Sequence, residues 1–308
     1  MIKQQILSNN FINKEQEKVI KLYHSIGMRE MNSHFSKKDF TNYQRFSLLI
    51  LYVKENKSLR QFCESLKDSK WVNYLQLKKI PKKSTLNSWF GFFDLSKIKK
   101  LIQNFIFENK IFAIDGTGLD KSIKSSYYQK RLNEFGFKTK SNYNKLDIIC
   151  ETKTGLIYDF NCLVKQKHDS YVGKKLIKKF KLKNKIILGD KGYNDFIFED
   201  LVGKSNHFIS PPKKNEGKSH KRFKAKRKRD LFSKFENVYP LRNNVESVIS
   251  SLKRVEFKHL KMKRRKIEIT WKILNYNIRK SIFFFFILLE ISYSPNKKFP
   301  NFGKVTQN

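Results

Sequence analysis

From Asp39 onward the apolar positions fall at helical spacing. Phe40, Tyr43, Phe46, Leu48, Leu49, Ile50 and Tyr52 are dense enough for a largely buried helix, with Asp39 or Thr41 as its cap. Ser58-Leu59-Arg60-Gln61 has the form of a capping box. Leu59, Phe62, Cys63 and Leu66 come at i, i+3, i+4 and i+7, which predicts a second helix. A third begins near Ser84, after Pro81, and carries Leu86, Trp89, Phe90 and Phe93. Upstream, residues 1–38 are polar with scattered apolar positions, and Glu15 to His24 fit a short helix. Residues 1–105 therefore read as an all-helical N-terminal module. Two uses stay open for it: helix-turn-helix DNA binding, or a brace for the catalytic core.

Near Lys110 the pattern changes. Ile111 to Ile114 reads as a strand, Leu146 to Glu151 as a second and Gly155 to Val164 as a third, with Thr154-Gly155 turning between the last two. Asp169 to Phe180 then reads as a helix, Lys185 to Leu188 as a strand, Phe196 to Val202 as a helix and His207 to Ser210 as a fifth strand. Ile267 to Leu289 returns to an apolar helical pattern, and residues 293–308, with Pro295 and Pro300, form a tail. Three strands and then alternating helices and strands is the order of an RNase H-like α/β fold, a mixed sheet flanked by helices over residues 106–292. In that fold the first and fourth strands are neighbours.

Charge narrows the class of partner. The 308 residues hold 66 Lys and Arg against 27 Asp and Glu, a formal net charge of +39. Self-repulsion on that scale points to a polyanionic partner, nucleic acid first and an acidic membrane surface second. Against a membrane, no stretch reaches the ~18 consecutive apolar residues of a spanning helix, and the longest, Ile282 to Leu289, lies between Lys280 and Glu290. High Lys, Asn, Ile and Phe contents also fit an AT-rich coding sequence, so the charge argues for nucleic acid only where it clusters. One cluster fills residues 212–235, expected as a flexible basic loop that orders on DNA, with Lys226, Arg227, Lys228 and Arg229 as binders. A second comprises Lys253, Arg254, Lys258, Lys261, Lys263, Arg264, Arg265 and Lys266. The N-terminus lacks the apolar stretch of a signal peptide, which leaves a cytoplasmic, nucleoid-associated protein as the expectation. Cys63, Cys150 and Cys162 are odd in number and widely spaced, and read as reduced core residues.

The candidate chemistry is acidic. Asp115 closes the run Ile111-Phe112-Ala113-Ile114 and Asp190 closes Ile186-Ile187-Leu188-Gly189, each where a strand is expected to end. Downstream, Arg242, Glu246 and Lys253 fall within about 40° of one another on a helical face. Singly, each aspartate could start a turn, and Arg242 with Glu246 could be an ordinary i, i+4 ion pair. Jointly they form an oxygen-only donor set, without His or Cys, suited to Mg²⁺.

The spacing Tyr239, Arg242, Glu246, Lys253 resembles the signature of DDE-type insertion-sequence transposases. Asp115-Gly116-Thr117-Gly118-Leu119 resembles the family's first aspartate motif and Asp190-Lys191-Gly192-Tyr193 its second. Tyr127-Tyr128-x-x-Arg131 and His168-Asp169-Ser170 are also similar, although Asp169 fits a helix N-cap better than a catalytic group. The resemblance implies an RNase H-like core that holds two Mg²⁺ ions, with Mn²⁺ as a substitute. Asp115 would serve both ions, Asp190 and Glu246 one each. Arg242 and Lys253 would grip phosphates, and Tyr239 would stack on a base or bond a phosphate. The implied partners are double-stranded DNA, as element terminal inverted repeats and target, and a second copy of the chain. The implied reaction frees a 3′-OH by hydrolysis and joins it to target DNA. The alternatives are an RNase H-like nuclease without strand transfer and an inactive DNA-binding protein.

Overall fold

A computed structural model of the chain describes residues 2–25, 27–31, 39–105, 109–120, 134–135, 143–163, 168–193, 196–202, 205–212, 222–253 and 262–293. Among the described residues six helices come first: α1 (Ile2–Ser25), α2 (Asn42–Glu55), α3 (Leu59–Lys67), α4 (Trp71–Tyr74), α5 (Lys83–Trp89) and α6 (Leu95–Gln103). Thr41, not Asp39, caps α2: its hydroxyl accepts from the Gln44 amide at 3.1 Å while the Gln44 side chain accepts from the Thr41 amide at 2.8 Å. Ser58 and Gln61 repeat that reciprocal pair at α3, as the sequence pattern predicts. Two helices lie outside the expected set. α4 is a single turn, and α6 starts at Asp94, whose carboxylate accepts from the Ser96 amide at 2.9 Å.

Among the described residues the sheet has five strands, β1 (Ile111–Asp120), β2 (Tyr143–Glu151), β3 (Ile157–Leu163), β4 (Ile186–Leu188) and β5 (His207–Ile209), in the order β3-β2-β1-β4-β5. β2 runs antiparallel to both β1 and β3, whereas β4 is parallel to β1 and to β5. Parallel neighbours need crossover connections, which α7 (Asp169–Ile177) and α8 (Phe196–Val202) supply. This is an RNase H-like mixed sheet with its first and fourth strands side by side. Helix α9 (Arg222–Lys234), a 3-10 segment (Glu236–Arg242), α10 (Asn243–Lys253) and α11 (Met262–Tyr293) complete the described chain.

Strand alternation sorts the core into two faces. Phe112, Ile114 and Ile149 join Tyr158, Leu176, Phe198 and Phe208 on one face. On the other, Ala113, Ile148 and Cys150 belong to a cluster that runs through Val245 and Ile249 of α10 and Trp271, Leu274 and Ile278 of α11 to Phe46, Phe62 and Leu86. Trp271, fully buried, has its ring 5.3 Å from that of Phe46 and 5.4 Å from that of Phe93. Asn277 pins α11 to the sheet by accepting from the Ile157 amide at 2.9 Å and donating to its carbonyl at 2.7 Å. The N-terminal helices and the sheet thus share one core, with α11 between them.

Two expectations change here. β1 does not end at Ile114: it continues to Asp120, paired with β2 as far as Tyr143, so Asp115 sits within a strand. The residues 212–235 are not a loop throughout, since Arg222–Lys234 form α9. Low apolar content suggested no structure, but Lys and Arg are good helix formers, and buried Lys228 with half-buried Leu231, Phe232 and Phe235 fits i, i+3, i+4, i+7 onto the core. Residues 213–221 and 294–308 and the Tyr127-Tyr128-x-x-Arg131 motif lie outside the described residues. Among those described, no helix is long and apolar enough to cross a membrane.

Candidate active site

The site is built where β1 outruns β4. The last paired couple of these parallel strands is Ala113 with Leu188, and Asp115 and Asp190 each lie two residues beyond it. The two aspartates, far apart in sequence, are thus carried to the same end of adjacent strands, near enough for the Asp190 charge to act on Asp115. Each aspartate also captures a glycine amide just downstream. The Gly116 amide donates to Asp115 Oδ1 at 2.8 Å and the Gly192 amide to Asp190 Oδ1 at 2.8 Å.

Asp115 shares its sheet face with Ala113, the face on which α10 packs through Val245, Val248, Ile249 and Leu252. Arg242 ends the 3-10 segment just before α10, one residue short of the helix on which the sequence pattern would put it. The expected i, i+4 relation survives, with Arg242 Nη1 donating to Glu246 Oε1 at 2.9 Å. The other arm, Nη2, lies 3.3 Å from Asp115 Oδ2. One guanidinium therefore bridges two of the three carboxylates, and both of these arms are taken up by acids. Tyr239 ties the same segment to the Asp190 side: its hydroxyl donates to the Gly189 carbonyl at 3.3 Å, and its ring packs 5.2 Å from Phe232.

Burial raises the Asp115 pKa. The Gly116 amide and Arg242 oppose the rise, and the charges of Asp190 and Glu246 add to it. Both other acids of the set thus act electrostatically on Asp115. Arg242 itself is held above its ordinary pKa by Asp115 and by its bond to Glu246, although burial pulls the other way. Among the described residues, no three His, Cys, Asp or Glu side chains converge closely enough to enclose a metal ion. The donor chemistry nevertheless fits a hard divalent cation. It consists of oxygens only, and a positive group already stands between two of the acids.

Behind the site, on the opposite face of β1 and β2, lies a polar group that sequence reasoning missed. Asp147 is fully buried; Tyr193 donates its hydroxyl to Asp147 Oδ1 at 3.0 Å, and Oδ2 has no hydrogen-bond partner. Its carboxylate occupies the space that a side chain at Gly116 would need, 2.5 Å from an ideal Cβ there, so residue 116 must be glycine for β1 to lie against Asp147. Burial pushes the Asp147 pKa up to about 7, even though the Lys145 ammonium is 3.7 Å away. Desolvation wins because that ammonium is bonded to Asp169 instead. Asp169 is thus not the N-cap of α7. His168 takes that place, its Nδ1 accepting from the Ser170 amide, while Asp169 reaches back to β2. The signal available in sequence was a lone acid inside the apolar run Leu146-Asp147-Ile148-Ile149.

The basic residues divide by exposure. Lys226, Arg227 and Arg229 of α9 are exposed, but Lys228 is only 4% exposed and cannot present its charge to a duplex. Lys253 is exposed at the end of α10, on the side away from the core. In the second cluster Arg264 and Lys266 are exposed, and Arg265 is buried.

Residues 107–277 match the family model described as Transposase DDE domain. No curated protein matches the chain. Among solved structures, the chain is similar to a piggyBac transposase in a cryo-EM synaptic complex with hairpin DNA. That likeness has 10% identity and a TM-score of 0.46, and covers 91% of this chain and 73% of the other.

Proposed function

The chain belongs to the transposase DDE domain family, and from that premise we propose that it cuts phosphodiester bonds at the ends of its own mobile element and joins the freed 3′-OH ends to target DNA. The observation that supports this reading is that Asp115 and Asp190 both lie two residues beyond the paired ends of adjacent parallel strands, with Glu246 linked to Asp115 through Arg242. Asp115, Asp190 and Glu246 would hold two Mg²⁺ ions, or Mn²⁺ in their place, Asp115 serving both. Bound there, the ions supply a nucleophile near neutral pH and offset the charge that builds on the phosphate.

The chain's own residues do the rest. With DNA present, an Arg242 arm turns from Asp115 to a phosphate, which frees that carboxylate and fixes the strand in one movement. Tyr239, anchored on Gly189, lines the strand's path with a ring on which a base can stack. Lys253 lies seven residues past Glu246, about 10 Å along α10, and holds the cleaved end by its phosphate until the target arrives. A dimer would bring two ends together.

Retention of the 3′-OH end separates a transposase from a plain nuclease. Lys253→Ala should lower joining of pre-cleaved element ends to a plasmid about tenfold while cutting changes less, because losing one charge-assisted phosphate bond costs roughly 1.5 kcal/mol at the joining step. The readout is a gel-resolved strand-transfer reaction with labelled end oligonucleotides and Mg²⁺. Cut products with no joined species, across several candidate ends from the native flanks, would favour the nuclease.

The exposed cations of α9 act before chemistry. Replacing Lys226, Arg227 and Arg229 by Gln should weaken binding to every duplex and flatten the dependence of log K on log salt by roughly 0.9 for each phosphate no longer neutralised. Lys228→Gln should leave that slope unchanged, since Lys228 is buried. An unchanged slope in the triple variant would make the exposed face of α9 a solvated surface only.

A further inference from the structure

Helix α11 buries Trp271, Ile273, Leu274, Ile278 and Ile282, but another stripe of it behaves differently. Lys272, Asn275, Tyr276, Arg279, Lys280 and Phe283 fall at i, i+3, i+4, i+7, i+8 and i+11 on one side of the helix. Lys272 and Asn275 are buried, Tyr276 and Lys280 half-buried, and Arg279 and Phe283 exposed, so the stripe runs from the interior out to solvent. With Val53 near the end of α2 and Ser251 and Leu252 near the end of α10, it lines a pocket of about 380 Å³. That volume lies in the range of small-molecule sites, roughly 300–1,000 Å³.

The lining is too specific for a solvated helix face. Asn275 is 7% exposed and its side-chain oxygen has no hydrogen-bond partner, an unfavourable state that a donor on a ligand would relieve. Lys280 is half-buried, its pKa lowered by desolvation, with its ammonium 5.9 Å from the centre of the Tyr276 ring. Arg279 stands exposed beside it, and no carboxylate lines the pocket; the nearby Glu268 is taken by Lys272 at 3.0 Å. Phe283 exposes 53% of its surface at the same place, a large apolar ring next to two cations. A bare phosphate would satisfy the cations but not the buried acceptor or the rings. An apolar ligand would waste the cations. A ligand with an anionic group, a flat aromatic body and an amino donor answers all three.

We propose that this pocket takes one nucleotide, its phosphate on Arg279 and Lys280, its base against Tyr276 and Phe283, and a base amino group donating to the Asn275 oxygen. The chemistry is shared by an unpaired nucleotide within a DNA strand and by a free nucleotide. The strand is favoured by position: Ser251 lies five residues past Glu246, about 7.5 Å along α10, and next to Leu252 and Lys253. Only this choice of source rests on the DNA-processing function proposed above. The pocket itself lies apart from the carboxylates and does not depend on it.

The test uses the full chain without divalent metal at fixed salt. Fluorescence anisotropy compares a paired duplex with the same duplex carrying one extrahelical nucleotide, and equilibrium dialysis measures dAMP. The wild type should prefer the bulged duplex by about fivefold or more, the gain expected from stacking one base. Phe283→Ala, which alters an exposed ring and leaves the core intact, and Asn275→Ala should reduce that preference to about one without changing affinity for the paired duplex. Saturable dAMP binding that is lost in Phe283→Ala, without any bulge preference, would support the site with a free nucleotide as its occupant. Absence of both the preference and dAMP binding in the wild type overturns the proposal, as does a preference untouched by both Phe283→Ala and Arg279→Gln. Should the wild type bind dAMP but neither duplex, the DNA reading fails and the pocket stands. Duplex binding with neither preference nor dAMP binding has the opposite meaning.

Discussion

Asp115→Asn, Asp190→Asn and Glu246→Gln should each lower Mg²⁺-dependent strand cleavage on the order of 10³-fold, because metal charge stabilisation is worth several kcal/mol at the transition state and each 1.36 kcal/mol is tenfold. Each change keeps the shape of the side chain and removes one negative charge from a group whose members already repel one another. Binding to a duplex should therefore hold or tighten slightly, since a polyanion loses a repulsive neighbour and no cation is touched. Cleavage of a labelled end fragment and anisotropy on the same fragment give the two readouts. A second signature distinguishes ligand loss from misfolding. The wild type should gain thermal stability with added Mg²⁺ by mass action, and each variant should gain less while remaining folded without it. Near-normal cleavage by any one variant would remove that residue from the ligand set. Arg242→Gln offers a contrast. It takes away the cation that bridges Asp115 and Glu246, so the metal-free protein should melt lower and the stabilisation by Mg²⁺ should grow.

How much could be read from the chain depends on the range of the interactions involved. Caps are local: Ser58-Gln61 was legible because the donor and acceptor are three residues apart, and the start of α2 was narrowed to Asp39 or Thr41, of which Thr41 is the cap. That the first and fourth strands adjoin was legible because the order of the elements matches an RNase H-like sheet, the fold in which these two strands are neighbours, and this placed Asp115 beside Asp190. The extent of β1 was not, because Gly116-Thr117-Gly118 reads as a turn until β2 pairs with it. α9 was hidden by composition, since among the described side chains its packing on the core comes from a few apolar positions, Leu231 and Phe232 with Phe235 just beyond, set in a basic run. The same limit applies to Arg242: its bond to Glu246 spans four residues and was readable, whereas its bond to Asp115 spans 127 and exists only once the sheet has formed. Asp147 belongs to this second kind. Nothing within its own strand identifies Tyr193 as its partner or leaves its second oxygen without one.

That oxygen has a consequence for stability. Asp147→Asn should make the metal-free protein less sensitive to pH, with a gain over the wild type that grows between pH 4 and pH 8 to roughly 4 kcal/mol, the value of a carboxyl raised from 3.8 to about 7. The direction is set by which state holds the proton. In the folded protein burial keeps Asp147 protonated up to about pH 7, while the unfolded chain releases that proton near its ordinary value of 3.8. Stability from the neutral carboxyl is complete below the lower value and is lost as pH rises through the upper one. Asparagine stays neutral throughout and can still accept from the Tyr193 hydroxyl, so it keeps the hydrogen bond and avoids the ionisation. Lys145 faces this carboxylate at 3.7 Å, and its bond to Asp169 limits what it can return. Denaturant melts of both proteins in EDTA across that pH span measure the difference directly, because the titration of every other carboxylate cancels between them. A constant gap from pH 4 to pH 8 would mean that Asp147 is ionised in the folded protein and that Lys145 offsets its burial.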